Sequence, residues 1–275
     1  MSEKSVAPNL EEIAADVIEA FGNHSQIPSF SQPGRKFGLE DAYRVTSLLR
    51  KEFEARGENI TGRKIGFTNR DMWKAYGVQA PIWGYCTDRT TFELEDTHFQ
   101  CVHDFAEPRI EPEIIFGLEN MPLPSMNLSE LLDCIGWISL GYEVVQSIFP
   151  NWKFAAFDTV AANALHGALL IGKRYPVAPR KADWQRELTT FRIGLYCNGK
   201  LTQSGGGALV LDSPLLALRH LVSLLADDPN NPPLQAGEII STGTLTLAMA
   251  VSAGQIWTTK VQGISLEDIT LRFEP

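Results

Sequence analysis

The sequence has 275 residues, of which 44% are hydrophobic and 21% charged, a balance typical of a globular chain with a sizeable core. Its formal net charge is -9 and its lysines and arginines form no long basic stripe, which argues against nucleic acid as the main partner. We find no run of about 18 apolar residues and no signal-like N-terminus, so the sequence predicts a cytoplasmic protein without a membrane partner.

The N-terminal part is predicted to be helical. Apolar residues recur at helical spacing from Leu10 to Phe21. A second amphipathic pattern runs from Leu39 to Phe53, and Gly57 closes it. We predict that these two helices form a cap over residues 1–58 of a single catalytic domain that spans residues 1–275.

Beyond Gly62 the sequence changes to short apolar runs that turn residues interrupt, a pattern typical of strands joined by turns. Two helices are predicted there, Ser129 to Trp137 with Ser129 as N-cap, and Ser213 to Ala226 with a Ser-Pro start. The predicted class is therefore α+β, with a β-rich core over residues 59–275. The predicted strands are Glu113 to Phe116, Gly167 to Gly172, Phe191 to Cys197, Gly237 to Thr242, and two between Gln255 and Phe273 that Gly263 separates.

Carboxylates stand out in two apolar runs. Glu111 and Glu113 lie two residues apart in a predicted strand, so their side chains face the same way. Burying two carboxylates side by side is costly unless a cation or a proton lies between them. Glu143 is the only acidic residue in a second apolar run, so the three glutamates predict a site for a hard divalent cation. A solvated sheet face would explain the same pattern equally well.

Four other polar residues are candidates for chemistry, and each also has a structural explanation. Lys64 lies between glycines and apolar neighbours, where its ammonium could polarise an oxygen or simply be exposed. Asp158 and Asn163 lie in a turn-like segment, and both residue types commonly form turns. His166 follows closely, as either a base or a satisfied structural group.

The four cysteines, Cys86, Cys101, Cys134 and Cys197, are widely spaced along the chain. They form no C-x-x-C pair and have no histidine at zinc-finger distance. We therefore predict free thiols that are buried and behave as small core hydrophobes. The sequence contains no internal repeat that would indicate a solenoid or a propeller.

Several segments together resemble the hydratase and decarboxylase branch of the fumarylacetoacetate hydrolase superfamily. The order and spacing of these segments carry the resemblance, which covers most of the chain. The implied core is the mixed sheet roll or barrel of that superfamily, with peripheral helices. The segments, in chain order, are EDAYRV, GRKIGFT, GVQAPIWG, PRIEPEIIF, GYEVVQS, DTVAANA, SGGGALVLDSPLLAL, LQAGEIISTGT and GISLEDITLRF.

The resemblance implies roles for individual residues, with Mg²⁺ as the cofactor and Mn²⁺ as an alternative. The implied metal ligands are Glu111, Glu113 and Glu143. The implied catalytic residues are Lys64, Asp158 and His166, the last as a candidate for handling water. The implied substrate-binding residues are Thr68, Asn163, Thr242, Gly243 and Thr244.

The implied substrate is a small 2-hydroxy-2,4-dienoic or 2-oxo acid whose carboxylate and C2 oxygen bind the metal. The preferred prediction is a lyase that adds water to the 2-hydroxy-2,4-dienoate and gives a 4-hydroxy-2-oxo acid. Decarboxylation of a 4-oxalocrotonate-like 2-oxo diacid is the alternative, because it needs almost the same residues. Further alternatives are an acylpyruvate-type C–C hydrolase, for which His103 and Asp104 are uncertain bases, and a non-catalytic partner subunit.

The resemblance also bears on assembly and on substrate size. Members of the superfamily commonly assemble through their β core, so we expect a homo-oligomer, and a complex with a sister lyase subunit is a further expectation. Aromatic residues are dense around Trp73, Tyr76, Trp83 and Tyr85. They lead to the hypothesis of a substrate tail that is larger or less polar than that of the simple pentadienoate.

Overall fold

Two mixed β-sheets form the centre of the chain, and helices flank them. A computed structural model describes residues 8–31, 36–97 and 99–275. The helices are α1 (Leu10–Gly22), α2 (Leu39–Ala55), α3 (Trp73–Tyr76), α4 (Leu128–Asp133), α5 (Ala156–Ala161), α6 (Lys181–Thr190) and α7 (Pro214–Ala226). The strands are β1 (Ile60–Gly66), β2 (Ile82–Thr87), β3 (Thr91–Glu93), β4 (Phe99–Cys101), β5 (Arg109–Leu118), β6 (Ile135–Val145), β7 (His166–Ile171), β8 (Tyr175–Pro176), β9 (Arg192–Cys197), β10 (Lys200–Gly206), β11 (Ile239–Thr244), β12 (Met249–Ala250), β13 (Ile256–Gln262) and β14 (Ile269–Glu274).

The larger sheet has the strand order β2-β1-β11-β5-β6-β7-β3, with β12 beside β5 and β8 beside β6. Its central strands β5 and β6 are antiparallel and stay in register over most of their length. The smaller sheet has the order β10-β9-β13-β14-β4. The predicted α+β class, with a mixed sheet core and peripheral helices, is confirmed.

The central strands are buried along almost their whole length. Ile114, Phe116 and Val144 are fully enclosed, as expected for strands that are covered on both faces and therefore carry mostly apolar residues. Glu113 and Glu143 are equally buried within these strands. A carboxylate in such surroundings needs a partner, so this part of the sheet is where a site is expected.

The N-terminal helices share their core with the sheet. Helices α1 and α2 pack on each other and on α5, and α2 also contacts β1 and β2. Val17, Val45 and Leu49 belong to the same buried cluster as the sheet residues. Tyr43 of α2 stacks on Trp83 of β2, with 5.6 Å between ring centroids. The division of the chain at residue 58 into a cap and a catalytic core stays a prediction.

The helix predicted from Ser129 to Trp137 is wrong in its extent and in its cap. Helix α4 is short, and residues from Ile135 onward form β6. Its N-cap is Asn127 rather than Ser129, in a reciprocal capping box with Glu130. The β-branched and aromatic residues that follow pair with β5, and this pairing overrides the helical spacing of the apolar residues.

Residues Gly207–Ala226 form a stretch that is long and apolar enough to span a membrane by length and composition. This finding corrects the expectation that no such stretch exists. Within its apolar window 56% is buried inside the protein, and α7 packs on α4, α6 and β11 as core helices do. Ser213 caps α7 as predicted, because its hydroxyl accepts from the N–H of Leu215.

The four cysteines are free thiols, as predicted. Only Cys86 and Cys134 are buried, whereas Cys101 and Cys197 are partly exposed, so the predicted burial holds for half of them. Desolvation raises the pKa of the Cys86 thiol well above its ordinary value. A thiol in such surroundings is inert rather than nucleophilic.

Candidate active site

The three glutamates predicted to bind a metal meet at the centre of the larger sheet. Glu111 on β5 lies directly opposite Glu143 on β6, and Glu113 follows two residues along β5. One oxygen of each carboxylate lies within 4.8 Å of the others. Glu113 and Glu143 are fully buried, while Glu111 faces a cavity. The sheet register therefore assembles the cluster that the sequence spacing predicted.

Burial and mutual repulsion raise the pKa values of Glu111 and Glu113. Burial, together with the charge of Glu143, raises the pKa of Glu111 to about 7, although Lys64 and Arg109 oppose the rise. Burial raises the pKa of Glu113 well above its usual range, and the charges of Glu143 and Glu111 add to the effect. A cluster of this kind is stable when a proton or a cation neutralises it.

The donor set fits a hard divalent cation. Oxygen Oε1 of Glu113 is buried and has no hydrogen-bond partner in the described part of the chain. The other oxygen, Oε2, accepts from Ser241 Oγ at 2.5 Å and from the N–H of Gly243 at 2.8 Å, which fixes the direction of Oε1. Oxygen ligands on a rigid sheet, open on one side to a cavity, suit Mg²⁺, Mn²⁺ or Ca²⁺.

Lys64 on β1 places its ammonium against the carboxylates. Its Nζ lies 3.1 Å from Oε2 of Glu143 and donates to the carbonyl of Ala164 at 3.0 Å. Burial alone would lower the pKa of Lys64, but Glu143, Glu111 and Glu113 together raise it to about 12. The ammonium is therefore charged at neutral pH and can donate to an anionic oxygen beside the cluster.

The carbonyl that binds Lys64 belongs to a left-handed turn. Asn163, Ala164 and Leu165 have φ angles of 51°, 52° and 62°. Such conformations cost about 1–3 kcal/mol per residue and persist only where the surroundings hold them. Oδ1 of Asn163 accepts from the N–H of Tyr85 at 2.7 Å, and its Nδ2 donates to the Tyr85 carbonyl at 2.9 Å. This double contact holds the turn so that Ala164 faces Lys64.

A cavity of about 210 Å³ opens over Glu111 and Lys64. Two of the predicted substrate-binding residues, Thr68 and Thr244, line it. The hydroxyl of Thr68 is buried and has no hydrogen-bond partner among the described residues, so it is available to a ligand. The other walls are mostly apolar and suit a small organic acid with a carbon chain. They include Ile65, Phe67, Ile82, Val145, Trp152, Phe154, Leu165 and Leu247.

Three other predicted substrate-binding residues support the cavity without lining it. The hydroxyl of Thr242 donates to the carbonyl of Ile114 at 2.8 Å. Gly243 has a φ of 107°, and an added Cβ would lie only 2.0 Å from Oγ1 of Thr68, so this position requires glycine. The side chain of Asn163 is engaged by β2, as described above. Their contacts are those of positioning residues.

Asp158 lies in α5, where the sequence predicted a turn. One of its carboxylate oxygens accepts from the N–H of Ala155 at 2.7 Å, and the other accepts from the N–H of Ser31 at 2.9 Å. The residue is fully buried and does not line the cavity. Asp158 therefore caps the N-terminus of α5 and also anchors the distant loop that contains Ser31, and this geometry gives the predicted catalytic role no support.

His166 contacts the carboxylate cluster from outside the cavity. Its Nδ1 lies 2.9 Å from Oε1 of Glu143, and its Nε2 lies 2.9 Å from the hydroxyl of Thr90. Both ring nitrogens are therefore engaged, and the ring lines a separate pocket beside Gln146. The arrangement orients Glu143, as residues behind a metal ligand commonly do.

The family model for the fumarylacetoacetate (FAA) hydrolase C-terminal region matches residues 70–268, well over half of the chain. The chain belongs to this family. A 4-oxalocrotonate decarboxylase from Pseudomonas putida is 31% identical over 236 residues, which cover 85% of this chain and 84% of that protein. A 2-hydroxyhexa-2,4-dienoate hydratase from Comamonas testosteroni is 30% identical over 227 residues, which cover 82% of this chain and 83% of that protein. These relatives are lyases, and the chain is a lyase of the fumarylacetoacetate hydrolase family.

Solved structures agree with this assignment. The 4-oxalocrotonate decarboxylase from Pseudomonas putida G7, complexed with magnesium and adipate, has a TM-score of 0.86 at 27% identity, over 96% of this chain and 97% of that chain. A fumarylpyruvate hydrolase from Pseudomonas aeruginosa shares the fold alone. Its TM-score is 0.58 at 14% identity, over 77% of this chain and 88% of that chain. The resemblance inferred from the sequence motifs is therefore confirmed.

Three of the four aromatic residues expected to shape the substrate tail, Trp73, Trp83 and Tyr85, lie outside the cavity. Trp83 and Tyr85 are fully buried on β2, which packs beneath α2. Trp73 does not line the cavity, and the side chain of Tyr76 lies outside the described part of the structure. The aromatic residues that line the cavity are Phe67, Trp152 and Phe154.

Arg109, which no sequence motif singled out, lines the cavity beside Glu111. It lies two residues before Glu111, so the alternation that singled out the glutamates also predicts that Arg109 shares their face. Its guanidinium carbon lies 3.9 Å from the centroid of the Trp152 ring. No sequence signal indicated that partner, because Trp152 lies in the loop after β6 and reaches Arg109 only through the fold.

Proposed function

We propose that this lyase adds water to a small 2-hydroxy-2,4-dienoate, giving a 4-hydroxy-2-oxo acid, with a divalent cation held by Glu111, Glu113 and Glu143. The observation that carries the proposal is the convergence of three carboxylates beside the Lys64 ammonium at the floor of a largely apolar cavity. Hydratases among the relatives, at 30% and 28% identity, support the same reaction class.

The residues around the cluster have different roles in binding the substrate and in stabilising its charge. When bound, the cation supplies positive charge for the substrate carboxylate and 2-oxygen, and Mg²⁺ or Mn²⁺ suits the oxygen donors. Lys64 donates to a substrate oxygen and stabilises negative charge there. The hydroxyls of Thr68 and Thr244 offer hydrogen bonds to the polar end of the acid or to water. The apolar walls exclude bulk water and so strengthen these contacts.

Hydration requires a balanced set of proton movements. The 2-hydroxyl of the dienoate loses its proton, the terminal carbon C5 gains one, and water then adds its oxygen at C4 and its hydrogen at C3. Lys64 at the cavity floor keeps its proton and hydrogen-bonds the substrate oxygen on which negative charge develops, because three carboxylates stabilise its charged form. His166 and Asp158 do not line the cavity, so we assign them supporting roles.

Decarboxylation of a 4-oxalocrotonate-like 2-oxo diacid is the second candidate function. One observation favours it: Arg109 lines the same cavity as Glu111 and provides a cation for a second carboxylate. Decarboxylases at 31% and 29% identity are as similar to this chain as the hydratases. The C2 carbonyl of the substrate accepts the electrons in both reactions, which differ in the bond that changes at the far end of the substrate.

Two further alternatives receive no support from the geometry. A hydrolase would need a base that activates water, but His103 and Asp104 are exposed and do not line the cavity. A non-catalytic partner subunit would have no need of three clustered carboxylates and a buried lysine beside one cavity. Undetectable Mg²⁺ binding by the purified chain would revive that alternative.

The test is a time course of ultraviolet absorbance and NMR spectra for the purified full chain with Mg²⁺. It is offered 2-hydroxypenta-2,4-dienoate and 4-oxalocrotonate separately. We expect the dienoate to give a 4-hydroxy-2-oxo acid, and we expect a chelator or Glu113→Gln to abolish this reaction. Glu52→Gln, at an exposed position on α2, is the matched control and keeps full activity. If 4-oxalocrotonate loses CO₂ and the dienoate is not hydrated, the decarboxylase replaces the hydratase as the proposed function. If neither acid is converted, both proposed reactions are wrong.

We also propose a cytoplasmic homo-oligomer. Leu201 on the edge strand β10 is 50% exposed, and Ile256 on β13 of the same sheet is 38% exposed. Apolar side chains on a sheet edge favour self-association. Light scattering after size-exclusion chromatography measures the subunit number, and Leu201→Lys is expected to reduce it. A complex with a sister lyase subunit, the further proposal, would be detected by co-purification of the two chains.

A further inference from the structure

Arg109 places a cation in the cavity wall that acts on the nearby Glu111 carboxylate but forms no ion pair within the described part of the chain. A guanidinium carries five N–H donors and cannot be deprotonated in a protein. Across the described residues, none of these donors has a carboxylate or carbonyl acceptor; the recorded partner of the side chain is the face of the Trp152 ring. The cavity thus contains two cationic groups, Lys64 at the glutamate cluster and Arg109 along the same wall.

Hydrogen bonds fix the position of Trp152, so the guanidinium of Arg109 packs against a ring that is held in place. The ring N–H of Trp152 donates to the carbonyl of Glu107 at 3.0 Å. The backbone N–H of Asn151 donates to the Glu107 carboxylate, also at 3.0 Å. Asn151 and Trp152 have φ angles of 58° and 56°, conformations that these contacts maintain. A guanidinium stacked on a ring keeps the N–H groups along its edge free for a ligand.

The position of Arg109 relative to the metal cluster sets the length of a ligand that would join them. Arg109 and Glu111 project from the same face of β5, about 6.6 Å apart along the strand. A chain of four carbons between two carboxylates spans a comparable distance. An acid whose first carboxylate lies beside Glu111 and Lys64 therefore brings a group at its sixth carbon to Arg109.

We propose that Arg109, held on Trp152, is a specificity residue that binds a second carboxylate at the far end of the substrate. The inference rests on the proposed function, because it takes the reacting end of the acid to lie at the three glutamates. A planar guanidinium binds a carboxylate through two parallel hydrogen bonds, and the apolar walls cover the carbon chain between the two ends. Among the acids that react at the glutamates, Arg109 therefore favours those with a second carboxylate at the far end over monoacids of the same length.

Binding of saturated acids tests the subsite without requiring turnover. Isothermal titration calorimetry with Mg²⁺ compares adipate with hexanoate, which has the same number of carbons and lacks the second carboxylate. We expect the wild-type chain to bind adipate roughly tenfold more tightly or better, Arg109→Met to remove this preference, and Arg109→Lys to restore part of it. Arg186→Met, at an exposed position on α6, is the matched control and keeps the preference. Equal affinity of the wild-type chain for both acids, or binding of neither, overturns the proposal.

Kinetics with two reactive six-carbon acids separate this inference from the proposed function. The acids are 4-oxalocrotonate, with a second carboxylate, and 2-hydroxyhexa-2,4-dienoate, without one. We expect Arg109→Met to raise KM for the diacid roughly tenfold, with little change in kcat and no change in KM for the monoacid. If the wild-type chain converts neither acid but its preference for adipate depends on Arg109, the reaction is wrong and the subsite stands. If it converts both acids and Arg109→Met affects them equally, the subsite is wrong and the reaction stands.

Discussion

Glu111 and Glu143 are direct cross-strand neighbours on β5 and β6, and their carboxylates share one small space with that of Glu113. Like charges in this position destabilise a sheet. Lys64, which is buried beside them, neutralises part of this charge through its contact with Glu143. The remaining negative charge is what a divalent cation would balance, so the cation is expected to act on folding as well as on catalysis.

Metal binding should stabilise the fold through this cluster. A ligand at about one hundred times its Kd adds about 2.7 kcal/mol to the free energy of unfolding. For a chain of this length, that corresponds to a rise in Tm of several degrees, which differential scanning calorimetry measures with and without Mg²⁺. We expect Glu113→Gln to abolish the rise, because the amide removes a charged ligand. A Glu113→Gln protein that still gains the full rise would show that the cation binds elsewhere, and Glu52→Gln serves as the control.

Metal affinity should depend on pH because protons compete with the cation for the same oxygens. The pKa of Glu111 is raised to about 7 in the absence of a metal. Below that pH a proton must leave before the cation binds, so affinity is highest above pH 7 and falls about tenfold for each proton per pH unit below it. Calorimetric titration in buffers of different ionisation enthalpy counts the released protons. An affinity that stays constant between pH 6 and pH 8 contradicts this prediction.

Replacement of His166 separates a positioning role from a catalytic one. We expect His166→Asn to weaken Mg²⁺ binding by about 10–100-fold, because Glu143 loses a partner that orients it. At saturating Mg²⁺, kcat and its pH profile should stay close to those of the wild-type enzyme. His220→Asn is the matched control, since His220 is a half-buried histidine on α7 outside the cavity. A large loss of kcat at saturating metal would restore the catalytic role predicted from the sequence.

The left-handed turn should depend on Asn163 and tolerate glycine at its centre. Asn163→Ala removes two hydrogen bonds to Tyr85 and is expected to cost about 2–4 kcal/mol in the free energy of unfolding. Ala164→Gly is expected to be neutral or to stabilise by a few tenths of a kcal/mol, because glycine adopts a positive φ without strain. Urea denaturation measures both. The turn would be unstrained if Ala164→Gly destabilised the protein as much as Asn163→Ala.

The sequence was sufficient to predict the carboxylate cluster because its signals are local. Two carboxylates at a spacing of two residues share a face in any strand, and Glu143 stood alone in an apolar run. The pairing of Glu111 with Glu143 required only that their strands become neighbours. Helices α1, α2 and α7 were also predictable, since their apolar periodicity and their turn or capping residues agree with the final packing.

What the sequence could not predict depends on contacts between distant segments. Asp158 looked like a catalytic carboxylate, but the loop that contains Ser31 folds over it and supplies a backbone N–H group. The apolar residues after α4 have a spacing that suits a helix, yet they form a strand because they pair with β5. Arg109 could be placed beside Glu111 by alternation, whereas its stacking on Trp152 follows from a loop conformation that no local pattern encodes.

The loop at residues 150–155 is exposed or partly exposed, in contrast to the buried strands beneath it. The strands hold the glutamates in a buried sheet, where most substitutions would disturb packing. The loop residues Trp152 and Phe154, two of the aromatic residues at the cavity, are only partly buried. Mutant libraries restricted to this loop should therefore explore new acids while retaining the cation, a route by which one ancestral scaffold can diversify its chemistry without first losing its fold.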